Sequence, residues 1–529
     1  MSKRTHLVAA AAILCSVVPD SRRTNQLARL APTPCEQLAS LKLDNTVIAT
    51  SERVTGGTFK MPGSTDSVTK LPAFCRVAGE LRPTRDSHIA FEVWLPLENW
   101  NGKFAGVGNG GWAGVISYSA LGEQLRRGYA TVSTNTGHVA EPGFDMAKFA
   151  FAHPERLADF GWRSVHEMTE KGKAITAAHY GRPARYAFWI GCSTGGKQGL
   201  TEAQRFPSDY DGIVAVAPAN NWARLMAGDF APQGDVARDA ANSFTAAQGR
   251  ALQRAALKAC DARDGVTDSL IENPAKCAFD PATVQCAPGV ATDSTCLTAA
   301  QVQTARRVYT GAKDPTGRVI YPGLAPGSEA FWGALINPAR PFPIPQSYYR
   351  WIVVGDSAWD WKSLDLSTPA GYALQREAEI KYDPVLAAVN PDLRGFRARG
   401  GKLIQLHGWD DQLISPQNSI DYYEAVITFE ASAARNRAAA ARDVQNFFRL
   451  FMVPGMLHCG GGPGPTSYDA ESALESWVER GIAPDSILTA QLVAGTPVRT
   501  RPLCPYPKVA TYKGTGDFNR AENFSCRMP

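Results

Sequence analysis

Residues 185–200 read RYAFWIGCSTGGKQGL and join a β-favouring aromatic run to a glycine-rich turn with Ser193 at its apex. Gly191, Ser193 and Gly195 form the pattern G-x-S-x-G, in which small residues two before and two after a serine let a strand and a helix approach closely. A helix-like run, residues 160–180, precedes this stretch, and a second possible helix follows it. The order of strand, turn and helix predicts an exposed serine nucleophile, although the pattern alone also fits an ordinary strand-to-helix turn.

Two later segments each combine a strand-like run with a candidate acid or base. Residues 402–415, KLIQLHGWDDQLIS, contain two adjacent aspartates, and residues 447–459, FFRLFMVPGMLHC, lead into His458. The chain order of serine, aspartate and histidine, with acid and base each just after a strand, is that of an α/β-hydrolase. We therefore predict the α/β-hydrolase fold with a catalytic triad.

The two adjacent aspartates are assigned different roles. The spacing HGxxD puts Asp411 four residues after His407, so we predict Asp411 as the acid that orients the histidine base and Asp410 as its solvated neighbour. His407 is interpreted as structural. The loop residues His138 and His153 are interpreted as solvated, since neither follows a late strand.

A glycine cluster follows the strand-like residues 103–107. Residues 108–112 read GNGGW and precede the serine, where this fold places one amide of the oxyanion hole, because glycine lets the backbone approach the substrate oxygen. The alternative is a tight turn, and the sequence does not resolve which glycine donates.

The length of 529 residues is too great for one compact core, so we expect a hydrolase core with a large insertion. A net charge of +5 over this length gives no argument for nucleic-acid binding. The predicted division is a signal peptide and leader, the first part of the core, a lid domain and the second part of the core, over residues 1–30, 31–218, 219–393 and 394–529.

The N-terminus resembles a secretory signal peptide. Lys3 and Arg4 precede a short apolar run, residues 7–18, which is too short to span a membrane comfortably. The alternative is an N-terminal core helix, and a lipid anchor on Cys15 is less favoured because the preceding residues make a poor lipobox. We therefore predict a secreted or periplasmic protein without stable membrane insertion.

Ten of the 11 cysteines remain if that segment is removed, and an even number in a secreted chain favours disulfides. Proximity in the sequence suggests four pairs and leaves two distant cysteines, each beside a predicted catalytic residue. The suggested pairs are Cys35 with Cys75, Cys260 with Cys277, Cys286 with Cys296 and Cys504 with Cys526, and the remaining two are Cys192 and Cys459.

The predicted lid carries two further features. Its aromatic residues could stack on an aromatic substrate, although each is better interpreted as core; they are Phe331, Trp332, Tyr348, Tyr349, Trp351, Trp359 and Trp361. The stretch CDARDGVTDSL, residues 260–270, holds Asp261, Asp264 and Asp268 around a glycine and offers oxygen ligands suited to calcium, or else forms a merely acidic turn.

The chain resembles the tannase and feruloyl esterase family of α/β-hydrolases, which also includes mono(hydroxyethyl) terephthalate hydrolase. The stretches that carry the resemblance are GNGGWAG, WRSVHEMTEKGKAITAAHYG, GCSTGGKQGLTEAQRFPSDYDGIVAVAPA, CDARDGVTDSL, HGWDDQLIS and PGMLHCGGG. The resemblance implies a triad, an oxyanion hole, a structural calcium site and a fifth disulfide. The implied triad is Ser193, Asp411 and His458, and the implied oxyanion hole is the amide of Thr194 with one from Gly110 or Gly111. The implied calcium ligands are Asp261, Asp264 and Asp268 with the carbonyls of Val266 and Leu270. The implied fifth disulfide joins Cys192 to Cys459.

These observations predict a secreted serine esterase acting on small aromatic-acid esters, feruloyl or related hydroxycinnamoyl esters first, with structural calcium and no organic cofactor. A gallate esterase or a terephthalate half-ester hydrolase is the alternative within the class. An inactive calcium-stabilised binding protein is the alternative from another class, and a thiol hydrolase using Cys192 is a third. The sequence leaves the oligomeric state open.

Overall fold

The protein is described by a computed structural model over residues 31–434 and 436–529, so the predicted signal peptide, residues 1–30, lies outside the described residues. A nine-stranded sheet forms the centre of the fold. Its strands are β1 (Thr46–Val54), β2 (Phe74–Leu81), β3 (Ile89–Pro96), β4 (Lys103–Val107), β5 (Ala130–Thr134), β6 (Tyr186–Cys192), β7 (Gly212–Val216), β8 (Lys402–Gly408) and β9 (Phe448–Val453).

The spatial order of the sheet is β1-β2-β3-β5-β4-β6-β7-β8-β9. The pairings from β1 through β3 to β5 are antiparallel, and those from β5 through β4 to β9 are parallel. The parallel strands therefore end at one common edge, where ligands bind in open α/β sheets. This arrangement is the predicted α/β-hydrolase fold.

Helices cover both faces of the sheet and fill the connection between β7 and β8. They are α1 (Tyr118–Arg126), α2 (Pro154–Ala158), α3 (Ser164–Tyr180), α4 (Thr194–Arg205), α5 (Trp222–Arg238), α6 (Ala246–Cys260), α7 (Ala299–Thr310), α8 (Gly333–Ile336), α9 (Pro343–Ser347), α10 (Pro369–Leu386), α11 (Arg394–Ala398), α12 (Pro416–Ala434), α13 (Arg437–Gln445) and α14 (Ala470–Arg480). None of the helices in the described residues combines the length and apolarity needed to cross a bilayer.

Shorter strands form small sheets outside the central one. They are Gly57–Lys60 with Ser67–Leu71, Ala312–Lys313 with Val319–Tyr321, Ser467–Tyr468 with Ile487–Val493 and Thr496–Leu503, and Val509–Tyr512 with Phe524–Arg527.

The connection between β7 and β8 carries helices α5 to α11 and contributes to two apolar clusters, one of which also contains residues that precede β6. One cluster packs Phe230 on α5 against Tyr349 and Trp351, and another surrounds Trp332 and Leu252. All five disulfides suggested by the sequence are present in the structure, and two of them lie within this connection.

Candidate active site

Ser193 occupies a tight turn between the last residue of β6 and the first residue of α4. Its φ of 60° and ψ of −121° fall in a region that non-glycine residues rarely adopt, a form of strain concentrated at functional sites. A Cβ on Gly191 would lie 2.4 Å from the carbonyl carbon of Gly195, so only glycine permits this close approach of strand and helix. The G-x-S-x-G pattern therefore forms a strained strand-to-helix turn with Ser193 at its apex, which is the geometry that a nucleophile elbow requires.

Asp411 and His458 are brought together by two neighbouring parallel strands, β8 and β9. The Nδ1 atom of His458 lies 2.8 Å from Oδ2 of Asp411, and the other carboxylate oxygen accepts hydrogen bonds from the amides of Leu413 and Ile414, both at 2.9 Å. The carboxylate is fully buried, whereas His458 is 14% exposed. This arrangement fixes the imidazole with a proton on Nδ1 and leaves Nε2 available to accept one.

The electrostatic surroundings of Asp411 favour its charged form. Burial by itself would raise its pKa, but the charge of His458 and the hydrogen bonds from His407 and His458 outweigh burial and hold the pKa well below its usual range. Asp411 is therefore ionised beside His458 at neutral pH.

His407, predicted to be structural, supports the loop that presents the acid. Its Nε2 lies 3.2 Å from Asp411 Oδ2 and 3.0 Å from the carbonyl oxygen of Ile414, so this nitrogen faces two acceptors and carries the proton. Its Nδ1 accepts from the hydroxyl of Ser419 at 2.6 Å, and that hydroxyl in turn accepts from the side-chain amide of Gln405. His407 and His458 thus contact the same carboxylate oxygen of Asp411, and the contacts of His407 with Ile414 and Ser419 hold this oxygen in place.

The glycine cluster after β4 lies beside the start of α4. The amides of Gly108 and Asn109 are already used, because they donate to the carbonyl oxygen of Ile190 and to Oε1 of Gln198. Gly110 and Gly111, whose amides make no such bond in the described residues, line the same cavity as Ser193 and Thr194.

Two side chains that the sequence reasoning missed hold this loop in place. Asn109 donates to the carbonyl oxygens of Thr134 and Val115, at 2.8 and 3.0 Å, and accepts from Gln198 Nε2 at 3.1 Å. The hydroxyl of Thr194 donates to the carbonyl oxygen of Gly111 at 2.6 Å. Helix α4 and the glycine loop are thus joined at the point where two amides could face a substrate oxygen.

A cavity of about 430 Å³ contains Ser193 and His458 in its wall. Most of its remaining lining is apolar and comes from α5, the segment around α9 and the loop after β8, namely Trp222, Leu225, Met226, Phe342, Ile344, Leu413 and Ile414. Its size and apolar walls suit a small aromatic molecule.

The neighbours of Ser193 and His458 are covalently joined. Cys192 and Cys459 form a disulfide with Cα atoms 5.8 Å apart. Both cysteines also line the cavity. The turn that carries the serine is therefore linked directly to the loop that carries the histidine.

Residues 75–527, which include the whole of this site, match the family model described as tannase and feruloyl esterase. The chain belongs to this family. An uncharacterized esterase of Xanthomonas campestris pv. campestris is 37% identical over 532 residues, covering 94% of this chain and 91% of the relative. A probable feruloyl esterase B-2 of Aspergillus terreus is 34% identical and covers 85% of this chain and 86% of its own length.

Solved structures of the family share the fold over almost the whole chain. The crystal structure of feruloyl esterase B from Aspergillus oryzae is 30% identical, with a TM-score of 0.85, and covers 93% of this chain and 99% of its own. Tannin acyl hydrolase from Aspergillus niger reaches a TM-score of 0.76 at 23% identity, covering 95% and 94%, and this similarity concerns the fold alone. The present family member is therefore an esterase with the α/β-hydrolase fold.

The expectation that Asp410 is solvated is wrong for this esterase. Asp410 is only 5% exposed, and its amide donates to the carbonyl oxygen of Met456. A Cβ on Gly327 would lie 3.1 Å from Asp410 Oδ1, so the insertion covers this side chain. Burial, with a smaller contribution from the charge of Glu329, raises the pKa of Asp410 to about 8. Asp410 is thus an uncharged buried neighbour of the ionised Asp411.

The two loop histidines lie outside the cavity lining of the esterase. His138 was expected to be solvated, yet it is buried and stacks on Phe149 with ring centroids 3.6 Å apart. Burial lowers its pKa to about 4 and keeps it neutral. His153 is partly exposed and lies 2.9 Å from a carboxylate oxygen of Asp86.

The aromatic residues singled out in the predicted lid also lie outside the cavity lining. Trp332, Tyr348, Tyr349 and Trp351 are buried in the apolar clusters of the insertion, in agreement with their interpretation as core. The cavity is lined instead by Trp222, which the sequence reasoning did not single out because it stands apart from the aromatic-rich stretch.

The acidic loop of this family member holds three carboxylates that interact electrostatically, those of Asp261, Asp264 and Asp268. The amide of Asp268 donates to Asp261 Oδ1 at 3.0 Å, and burial, with the charges of Asp268 and Asp261, raises the pKa of Asp264 to about 6. Oδ2 of Asp268 is bonded to Arg501, while its Oδ1 is buried without a partner among the described residues. A buried orphan oxygen within a cluster of mutually repelling carboxylates is chemically suited to a hard cation.

Proposed function

We propose that this esterase is a secreted or periplasmic serine hydrolase that cleaves esters of aromatic carboxylic acids, with feruloyl and related hydroxycinnamoyl esters as its main substrates. The observation that carries the proposal is the joint presence of Ser193 and the Asp411-oriented His458 in the wall of one apolar cavity. An apolar cavity with few polar groups suits an aromatic acyl group. The naming of relatives as probable feruloyl esterases favours hydroxycinnamoyl esters within that class.

In the proposed mechanism, the Ser193 hydroxyl attacks the ester carbonyl carbon while His458 Nε2 takes its proton. Asp411 holds the opposite Nδ1–H and stabilises the imidazolium that forms. His458 then gives its proton to the leaving alcohol, and a water molecule, deprotonated by the same histidine, hydrolyses the acyl-enzyme.

The negative oxygen of the tetrahedral intermediate needs donors that are already in position. We assign this role to the amide of Thr194, the first residue of α4, together with the amide of Gly110 or Gly111. An amide at a helix N-terminus has no acceptor within its own helix and carries the positive end of the helix dipole. The hydrogen bond from the Thr194 hydroxyl to the carbonyl oxygen of Gly111 holds the glycine loop against the start of α4, so that these amides keep a fixed geometry.

Calcium is assigned a structural role in this proposal. Asp261, Asp264 and Asp268, with the carbonyls of Val266 and Leu270, would supply oxygen ligands of the kind calcium prefers. The cation would offset the burial and the carboxylate repulsion that together raise the pKa of Asp264, and it would give the orphan oxygen of Asp268 a partner. None of these residues lines the catalytic cavity, so calcium takes no part in the chemistry.

An oxidising compartment is supported by the five disulfides, since such bonds persist outside the cytoplasm. The assignment to secretion rests additionally on the apolar segment, residues 7–18, after Lys3 and Arg4.

Release of aromatic acid from methyl ferulate, methyl gallate and mono(hydroxyethyl) terephthalate tests the proposed substrate class. We expect the highest kcat/KM with methyl ferulate. A clear preference for the gallate or the terephthalate would reassign the substrate, and no release from any of the three would contradict the function.

A further inference from the structure

One face of helix α5 forms a continuous wall of the catalytic cavity. Trp222, Leu225, Met226 and Asp229 all line this cavity, and their spacing of three, four and seven residues from the first places them on the same face of a helix. Three of them are apolar, and the fourth is an acid. The wall is thus apolar except at Asp229, the residue farthest along the helix from Trp222.

The beginning of this wall lies near the nucleophile. The amide of Ala219, three residues before Trp222, donates to the carbonyl oxygen of Ser193 at 3.1 Å. At 1.5 Å per residue, Asp229 lies about 10 Å along the helix axis from Trp222. A cinnamoyl group extends further along such a wall than a benzoyl group, because two additional carbon atoms separate its ring from its carboxyl carbon.

Asp229 is an unusual wall residue because its carboxyl group has no protein partner. It is 4% exposed, and in the described residues its side chain accepts no hydrogen bond and forms no ion pair. It is also the one acidic side chain in the described cavity lining. Buried polar groups in native proteins are almost always hydrogen-bonded, and because Asp229 belongs to the cavity lining, its carboxyl group is open to a partner that enters the cavity.

The protonation state of Asp229 indicates the chemistry of that partner. Burial, assisted by the charge of Asp411, raises the pKa of Asp229 well above its usual value and thereby favours the neutral carboxylic acid. A neutral acid both donates and accepts a hydrogen bond and therefore pairs well with a hydroxyl group.

We propose that Asp229 is the specificity residue that binds the phenolic hydroxyl of a hydroxycinnamoyl group whose ring lies along the apolar face of α5. This inference rests on the proposed function and deepens it, because it names the part of the substrate that the far end of the cavity recognises. A substrate without the hydroxyl leaves the buried acid unpaired and binds less well.

The test compares kcat/KM for methyl 4-hydroxycinnamate and methyl cinnamate, with methyl 4-hydroxybenzoate and methyl benzoate as a shorter pair. The parent should favour the hydroxylated cinnamate by at least about tenfold, mainly through KM, and show little hydroxyl preference in the shorter pair. Asp229→Leu should reduce the cinnamate preference to near unity, and Asp229→Asn, which still donates and accepts, should retain part of it.

The matched control is Asp235→Asn, on the same helix, because Asp235 pairs with Arg238 and Arg307 and does not line the catalytic cavity. This variant should keep the parental preference. Asp229 would lose its proposed role if the parent showed no hydroxyl preference, if Asp229→Leu kept it, or if that variant lost activity equally on both cinnamates. Hydrolysis of methyl cinnamate that depends on Ser193 would leave the proposed function standing in each of these cases.

Discussion

The disulfide between Cys192 and Cys459 joins the residue before Ser193 to the residue after His458, with Cα atoms 5.8 Å apart. The two cysteines are 267 residues apart in the sequence. A single bond therefore links the loop that carries the proposed nucleophile to the loop that carries the proposed base, although the whole insertion lies between them in the sequence.

Replacement of both Cys192 and Cys459 by alanine should reduce activity and stability together. Loss of the bridge frees the two loops to move apart, and the entropic model of a long closed loop attributes up to about 5 kcal/mol of unfolding free energy to such a bond. Hydrolysis rates and thermal unfolding of the double variant measure both effects.

The matched control for this variant removes Cys286 and Cys296, which close a short loop in the insertion with a sequence separation of 10. That variant should lose some stability but keep its turnover at moderate temperature. Equal activity losses in the two double variants would contradict a specific role for the bond beside the active site.

Asp411→Asn and Asp410→Asn should differ strongly in turnover. Of the two aspartates, only Asp411 is hydrogen-bonded to His458, and loss of the orienting carboxylate in a serine triad lowers kcat by about four orders of magnitude. Asp410→Asn replaces a neutral buried acid by a neutral amide and should leave turnover close to that of the parent. Comparable losses in the two variants, or the opposite ranking, would refute the choice of Asp411.

The buried acid Asp410 should make stability fall as the pH rises. Its pKa is raised from 3.8 to about 8, so the folded state keeps a proton that the unfolded chain has released. This contribution to stability is fully present below about pH 4 and is lost as the pH rises through about 8. Between about pH 5 and pH 8.5 the Tm of the parent should fall more steeply than that of Asp410→Asn.

Other buried acids, such as Glu329 and Glu272, titrate in both proteins and largely cancel in this comparison. The pKa of Asp411 is lowered in the folded state, so this residue contributes its stability above its ordinary pKa. It stays ionised throughout this pH range. Parallel Tm profiles for the parent and Asp410→Asn would contradict the assigned protonation of Asp410.

Removal of calcium should lower the Tm more than it lowers activity at moderate temperature. The proposed ligands Asp261, Asp264 and Asp268 lie outside the catalytic cavity, and a cation that binds only the folded state stabilises it by mass action. Thermal unfolding and hydrolysis with and without chelator separate the two effects. In Asp264→Asn the chelator should have a smaller effect on the Tm, and a parent that contains no metal and is insensitive to chelator would exclude the site.

Much of the fold follows from local sequence patterns. The strand predicted at residues 103–107 coincides with β4, and the strand before Ser193 lies within β6, because apolar and aromatic runs bounded by turns define buried strands well. Four of the five disulfides follow from proximity in the sequence, and the fifth, between Cys192 and Cys459, is implied by the family resemblance.

The sequence could not reveal contacts made across the insertion. The burial of Asp410 depends on the loop around Gly327, which is more than 80 residues earlier in the chain. The same limit applies to Asp229, because its place in the cavity lining depends on how helix α5 packs against the rest of the chain. Neither position carries a local pattern that separates a buried acid from an exposed one.

The central claim is that Ser193 is the nucleophile of an ester hydrolase, and hydrolysis of methyl ferulate by Ser193→Ala tests it most directly. The variant should keep the parental Tm and far-UV spectrum while its kcat falls by on the order of a millionfold, the usual cost of removing a triad nucleophile. A folded Ser193→Ala protein with activity within about tenfold of the parent would contradict the claim.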